Sequence, residues 1–132
     1  MPTELFWLTL TVALTGLFWV PYILDRIVVR GLVGAMANPR ADAAPQSAWA
    51  DRLMAAHGNA VENLVVFATL VLTAHAIGIA NPTTAFACAL YFWARLVHAV
   101  VYTLGIPVLR TLSFVAGFVA QVQLFLAIFK VM

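Results

Sequence analysis

Four long apolar stretches, separated by polar or turn-forming segments, dominate the pattern of this chain. The first stretch, 5–24, contains 20 residues without a formal charge, and a helix needs about 20 apolar residues to cross a bilayer. The last, 111–129, contains 19 uncharged residues. Between them, the chain carries no formal charge from Glu62 to Arg95, and this run is too long for one span. The pattern therefore predicts four membrane-spanning helices.

The breaks between these stretches consist of residues that favour turns. Segment 31–47 is the longest polar segment and contains Asn38-Pro39 and Pro45, so we predict a loop there. Shorter breaks fall at Gly78 with Asn81-Pro82, and at Gly-Ile-Pro, 105–107. We predict a single four-span domain, 1–132, with helices at about 4–30, 47–79, 83–104 and 108–130.

The composition supports an integral membrane protein. Of the 132 residues, 64% are hydrophobic and 9% are charged, whereas soluble domains have about 45–50% apolar and about 25% charged residues. Too few polar residues remain to cover a water-soluble surface, which excludes a disordered tail or a disulfide scaffold and disfavours a soluble enzyme. The net charge of +2 is too small for a nucleic-acid surface. Three scattered histidines and one cysteine, Cys88, predict no metal site.

Basic residues concentrate at two of the three predicted connections. Arg110 flanks the third connection, and the first connection with its flanks holds Arg26, Arg30, Arg40 and Arg52. In a four-span protein these two connections lie on the same side of the membrane. Because basic loops stay in the cytoplasm, we expect both termini outside and both basic connections on the cytoplasmic side.

Ionisable residues inside the predicted spans indicate a functional site, because charged groups are costly in a bilayer. Arg95, His98 and Tyr102 are spaced i, i+3, i+7 and therefore share one helical face. Asn59 and Glu62 share a face of the second helix in the same way. Both groups lie toward the cytoplasmic ends, near Arg30, Arg110 and Thr111. The basic balance predicts a pocket for an anion, because the planar arginine fork suits carboxylates.

Structural interpretations remain open for each of these residues. Glu62 and Arg95 could neutralise each other between two helices. His98 and Tyr102 could serve as hydrogen-bonding groups that join helices. Arg30 and Arg110 could be plain positive-inside anchors.

Three segments together resemble a known family. They are Arg30 followed by Ala37-Asn38-Pro39; Arg52-Leu-Met-Ala-Ala-His57-Gly-Asn59-Ala-Val-Glu62-Asn63; and Arg95-Leu-Val-His98-Ala-Val-Val-Tyr102 with Arg110-Thr111 after a proline turn. Their order and spacing are similar to those of the membrane-associated proteins in eicosanoid and glutathione metabolism, the MAPEG family. The resemblance covers nearly the whole chain and extends to the short bacterial members of the family.

The resemblance implies an all-α integral membrane four-helix bundle that forms a homotrimer in the bilayer, with sites between neighbouring protomers near the cytoplasmic side. For a short bacterial member it implies the bacterial inner membrane. Glutathione would be the co-substrate and a lipophilic electrophile or hydroperoxide the second substrate. By position, Arg110 resembles the catalytic arginine near the glutathione sulfur, and the glutathione-binding set would be Arg30, Asn59, Glu62, Arg95, His98, Tyr102 and Thr111. The predicted function is that of a glutathione-dependent membrane transferase or peroxidase.

Some positions depart from the family pattern and favour a different function. Ala55 and Gly58 stand where members similar to prostaglandin synthase have arginines, and Phe114 and Phe118 replace polar residues of the fourth helix. The family also contains a non-enzymatic lipid-binding member. The alternative is therefore a non-catalytic lipid- or partner-binding membrane protein. A transporter or channel subunit fits less well, because the polar groups cluster at one end and line no continuous path.

Overall fold

The computed structural model describes residues 1–130, and every regular element in that part of the chain is an α-helix. The helices are α1 (Thr3–Leu17), α2 (Trp19–Met36), α3 (Ala48–Ala76), α4 (Pro82–Leu104) and α5 (Pro107–Phe129). The first two continue one another as a single apolar element, Thr3–Met36, so that four elements are long and apolar enough to cross a membrane. The prediction of an all-helical, four-span protein is confirmed.

The first span is interrupted twice. Phe18 separates α1 from α2, three residues before Pro21. Proline has no N–H to donate to the carbonyl of Leu17, four residues earlier, so the ladder is broken at this point. A second interruption lies at Gly31, whose φ of 72° and ψ of 167° are not helical. This positive φ favours glycine, and it falls where the sequence predicted the end of the first helix.

The polar segment 37–47 is fastened to α2 rather than projecting freely. Asp25 accepts hydrogen bonds from the backbone N–H of Ser47 at 3.0 Å and from its Oγ at 2.5 Å. Gln46 Nε2 donates to the carbonyl of Tyr22 at 2.7 Å, and Arg30 Nε donates to the carbonyl of Ala44 at 2.8 Å. These bonds fix the start of α3 against α2.

Helix α4 lies at the centre of the packing and contacts α1, α3 and α5. Tyr91 stacks on Phe67 of α3 with ring centroids 3.8 Å apart, and Leu124 of α5 is fully buried in the same core. The turn from α4 to α5 is short because Gly105 ends α4 in the left-handed conformation, φ 76°, and Pro107 begins α5.

The helices define two ends of the bundle. We call the end where α2 stops, α3 starts and α4 turns into α5 the basic end, because five of the seven basic residues, Arg26, Arg30, Arg40, Arg52 and Arg110, lie there. At the opposite end, α1 starts, α3 turns into α4 and α5 stops.

Candidate functional site

A cavity of about 250 Å³ opens between α3, α4 and α5 in the half of the bundle nearer the basic end. We call it the cationic pocket. It is lined by Asn59 of α3, by His98 and Tyr102 of α4, and by Arg110, Thr111 and Phe114 of α5. Five of these six residues belong to the site residues predicted from the sequence; Phe114 is the exception.

Helical spacing accounts for the arrangement of the aromatic rings. His98 and Tyr102 are four residues apart on α4, so their side chains lie one above the other. Their rings meet edge to face with centroids 5.5 Å apart, and the Phe114 ring lies 6.2 Å from that of His98. The rings thus form one wall of the pocket.

Arg110 is the cation of this pocket. Its Cζ atom lies 4.8 Å from the centroid of the Tyr102 ring, within the range of a cation–π contact. The pocket lining contains no carboxylate. Within residues 1–130, the only ion pair joins Arg40 and Asp42 on the surface. The half-buried guanidinium of Arg110 is therefore available to an anion that enters the pocket.

Arg95 lies behind the pocket and is 3% exposed. Its Nη2 donates a hydrogen bond to Oδ1 of Asn59 at 2.6 Å, whereas its Nε has no partner in the described part of the chain. Glu62 is exposed and forms no ion pair within residues 1–130. The mutual neutralisation of Glu62 and Arg95 is therefore not found within the protomer, and an amide holds the arginine instead.

Further buried polar atoms near the pocket lack a partner. His98 is 3% exposed, and its Nδ1 accepts or donates no hydrogen bond within residues 1–130. The hydroxyl of Tyr91, one turn before Arg95, is also buried and forms no hydrogen bond within residues 1–130. Most buried polar groups in proteins are paired, so these atoms leave hydrogen-bonding capacity beside the pocket. Gln123 Oε1, at the opposite end of the bundle, also has no partner within residues 1–130.

Two predicted residues lie elsewhere in the protomer. Arg30 is bonded to the carbonyl of Ala44 and lines a separate cavity under segment 37–47. Glu62 is exposed on α3 and does not line the pocket. The protomer thus brings together Asn59, Arg95, His98, Tyr102, Arg110 and Thr111 but neither of these two.

Some contacts were not foreseen from the sequence. Phe114 lines the pocket, whereas the sequence showed it only as a departure from the family pattern. It lies four residues after Arg110 and therefore on the same face of α5, and this spacing could have placed it in the pocket. The hydroxyl of Tyr22 lies 2.8 Å from Nδ1 of His57, which joins α2 to α3 outside the pocket. No sequence spacing links residues 35 positions apart.

The chemistry of the donors favours an organic anion. Among residues 1–130, no group of three or more His, Cys, Asp or Glu side chains could hold a metal ion. The pocket offers a guanidinium, an amide, an imidazole and two hydroxyls. Such groups bind carboxylates and thiolates by charge-assisted hydrogen bonds.

Fold and pocket together define a class: a small helical membrane protein of four spans, with a cationic pocket between helices at one end. The chain belongs to the MAPEG family, whose model matches residues 5–130. That family includes glutathione transferases and peroxidases as well as non-catalytic members. Neither a search of curated proteins nor a search of solved structures found a match to this chain.

Proposed function

We propose that this protein binds glutathione in the cationic pocket and activates its thiol for attack on a lipophilic electrophile or hydroperoxide. One observation carries the proposal: Arg110 lies over the Tyr102 ring in an open pocket that has no carboxylate to neutralise it. Membership of the MAPEG family supports glutathione as the anion. Asn59, His98, Tyr102 and Thr111 would bind the tripeptide, and Arg95 would support them through Asn59.

Arg110 would act by stabilising the thiolate. A cysteine thiol has a pKa of about 8.5, so most of it is protonated at neutral pH, and only the thiolate is a strong nucleophile. A guanidinium beside the sulfur favours the charged form, and each unit by which the thiol pKa falls corresponds to about 1.4 kcal/mol. Because Arg110 lies in the first turn of α5, the helix N-terminus adds a partial positive charge.

Two reactions follow from a bound thiolate. With an electrophile, the sulfur forms a bond to carbon, the leaving group departs with the electron pair of its broken bond, and the thiol proton goes to solvent. With a hydroperoxide, the sulfur takes the distal oxygen, the O–O bond breaks, and the alkoxide gains a proton to become an alcohol. The resulting sulfenic acid condenses with a second glutathione to give the disulfide and water.

The protomer would supply only part of the site, and a homotrimer would complete it. The cationic pocket measures about 250 Å³, whereas small-molecule sites usually span about 300–1,000 Å³. Glu62 is exposed fourteen residues into a membrane-spanning helix, and a lipid-facing carboxylate is costly. We infer that a neighbouring protomer covers Glu62 and that Arg30 reaches a pocket of the assembly.

The site would face the cytoplasm. Arg26, Arg30, Arg40, Arg52 and Arg110 lie at the basic end, and basic connections remain in the cytoplasm. Both termini would then be outside, in what we infer to be the bacterial inner membrane. A lipophilic second substrate would reach the sulfur from the bilayer, along the apolar surface of α5.

A second candidate function is non-catalytic binding of a lipid or a protein partner. Ala55 and Gly58 are exposed on α3, and no atom of the protomer outside the helix lies within 4 Å of where a Gly58 Cβ would be. Ala55 and Gly58 therefore supply no side chain that could hold a carboxylate of the tripeptide. Thermal stabilisation of the protein by millimolar glutathione would argue against this candidate, because only a ligand of the folded state raises its stability.

The test uses the purified protein with glutathione and, separately, an aryl electrophile and a lipid hydroperoxide. We expect the thioether product or the lipid alcohol to form with the wild type and to fall to background in Arg110→Ala. Arg40→Ala is the matched control, because Arg40 lies at the same end but pairs with Asp42 outside the pocket. Absence of product from the wild type, or equal turnover by Arg110→Ala, would refute the proposal.

A further inference from the structure

A second cavity lies on the other side of α4 and is almost wholly apolar. We call it the apolar groove. It measures about 330 Å³, within the range of small-molecule sites. The junction of α1 and α2, the start of α3 and the end of α4 form its walls. It is lined by Leu14, Leu17, Phe18, Pro21, Trp49, Leu53, Leu96, Ala99, Val100, Thr103 and Leu104.

The groove is distinct from the cationic pocket. On α4 it is lined by residues 96, 99, 100, 103 and 104, whereas the pocket uses His98 and Tyr102. From Leu96 to Leu104 it runs along nine residues of α4, a rise of about 12 Å. Two side chains of the lining carry a polar group: Thr103, whose hydroxyl donates to the carbonyl of Ala99, and Trp49, whose indole has an N–H. The remaining lining side chains are apolar and suit an apolar ligand.

A cation lies at the mouth of this groove. Arg52 Nε donates to the carbonyl of the lining residue Thr103 at 2.9 Å. Its guanidinium packs beside Gly105, where a Cβ would lie 3.4 Å from Cζ, so the glycine leaves room for it. Its terminal nitrogens donate no hydrogen bond to residues 1–130, and no carboxylate pairs with it there.

We propose that the apolar groove binds one acyl chain of an anionic phospholipid of the surrounding leaflet, with the headgroup phosphate on Arg52. Three observations support this occupant. The groove is apolar along its length. Arg52 is at its end and has nitrogens free for a phosphate, which arginine binds in bidentate fashion. Trp49, one turn before Arg52, lines the mouth and is 38% exposed, as in the aromatic belts at headgroup level.

The position along the helices fits a headgroup better than a buried ligand. Arg52 follows the start of α3 by four residues, and Thr103 precedes the end of α4 by one. Both residues therefore lie at the basic end, where the spans leave the bilayer. Attraction of an anionic headgroup to a single arginine amounts to about a fivefold preference over a zwitterionic one.

The test is native mass spectrometry of the full chain in detergent with equal amounts of phosphatidylglycerol and phosphatidylcholine of the same acyl chains. We expect the wild type to retain phosphatidylglycerol about fivefold over phosphatidylcholine. Arg52→Gln should remove the preference, and Arg52→Lys should keep it. Arg40→Gln is the control for loss of charge elsewhere at the basic end.

A second pair of variants tests the groove itself. Val100→Phe, which fills the groove from its exposed side, should reduce the occupancy of both lipids several-fold. Val97→Phe, on the same helix and similarly exposed but outside the groove, should leave it unchanged. No preference in the wild type, a full preference in Arg52→Gln, or preferential displacement of the phospholipid by oleate would each overturn the assignment. Because no glutathione is present, the result is independent of the proposed enzymatic function.

Discussion

Two buried charged residues, Glu4 at the end opposite the basic end and Arg95 beside the cationic pocket, differ in how fully their polar atoms are bonded, whereas Asp25 at the basic end is fully bonded, as Glu4 is. At the opposite end, Glu4 is 7% exposed, and its Oε1 accepts a hydrogen bond of 2.5 Å from the hydroxyl of Thr84. Thr84 also belongs to a capping box with Asn81, which fixes the start of α4. Near the basic end, Arg95 is equally buried, yet its Nε and the Nδ1 of His98 have no partner within residues 1–130.

The difference separates groups that serve the fold from groups that serve a site. The bond from Thr84 to Glu4 joins the start of α4 to α1, and Thr84 also caps α4 with Asn81, so we expect its loss to reduce stability. Arg95 and His98 retain unused hydrogen-bonding capacity beside an open cationic pocket. A buried unpaired polar atom is costly. We propose that an anion bound in the pocket offsets this cost at His98, which lines the pocket, and acts on Arg95 only through Asn59.

The largest effect is expected at Arg110. Arg110→Ala should lower kcat/KM for the glutathione reaction by about 10²–10³-fold, the usual loss when one stabiliser of a developing charge is removed. Arg110→Lys should keep part of the activity, because it retains the charge but not the planar contact with Tyr102. Steady-state kinetics with the purified protein measure both. If Arg110→Lys lost as much activity as Arg110→Ala, the planar contact with Tyr102 rather than the positive charge would be responsible for the activity.

Arg95 offers the sharpest contrast between stability and binding. Arg95→Met should weaken glutathione binding by about tenfold, because Asn59, which lines the pocket, loses the charged donor that orients its amide. It should not lower the Tm, because an apolar side chain of similar length removes the cost of a buried charge. Calorimetric titration and thermal unfolding measure the two effects.

Asn59→Ala is the counterpart of Arg95→Met. It removes the amide that accepts from Arg95 and leaves the charge in place, so both binding and the Tm should fall. An unchanged Tm in Asn59→Ala, or a strongly lowered one in Arg95→Met, would contradict this assignment.

At the opposite end of the bundle, we expect a substitution to lower the stability of the protein and to leave its affinity for glutathione unchanged. Thr84→Val should lower the free energy of unfolding by about 1–3 kcal/mol, because it leaves the carboxylate of Glu4 without its donor. Thr84→Ser keeps the hydroxyl and should restore most of the stability. Glutathione affinity should be the same in all three proteins. A change in affinity would show that the two ends of the bundle are coupled.

The smallest effect is expected at the surface of the basic end. Arg40→Ala breaks an ion pair with Asp42 whose side chains are 70% and 72% exposed. Exposed pairs contribute at most about 1 kcal/mol, so neither the free energy of unfolding nor glutathione turnover should change measurably. Thermal unfolding of Arg40→Ala beside Asp42→Ala checks this, and a clear loss in either would show that segment 37–47 depends on the pair.

The spans were predictable because they follow from uninterrupted apolar length, and the faces of α4 because they follow from helical spacing. Arg95, His98 and Tyr102 lie within eight residues, so periodicity alone places them together. Contacts between distant residues were not predictable. The amide of Asn59 as the partner of Arg95, and Ser47 as the partner of Asp25, depend on how helices pack. The sequence instead suggested Glu62 as a partner by charge alone.

We propose that Arg110 holds the sulfur of bound glutathione as a thiolate. The ultraviolet difference absorbance of the thiolate, recorded when glutathione is added to the purified protein at neutral pH, measures this directly. We predict a saturable thiolate signal with the wild type and Arg40→Ala, and its loss in Arg110→Ala. The absence of a signal in the wild type, or an equal signal in Arg110→Ala, would show that Arg110 does not stabilise the thiolate.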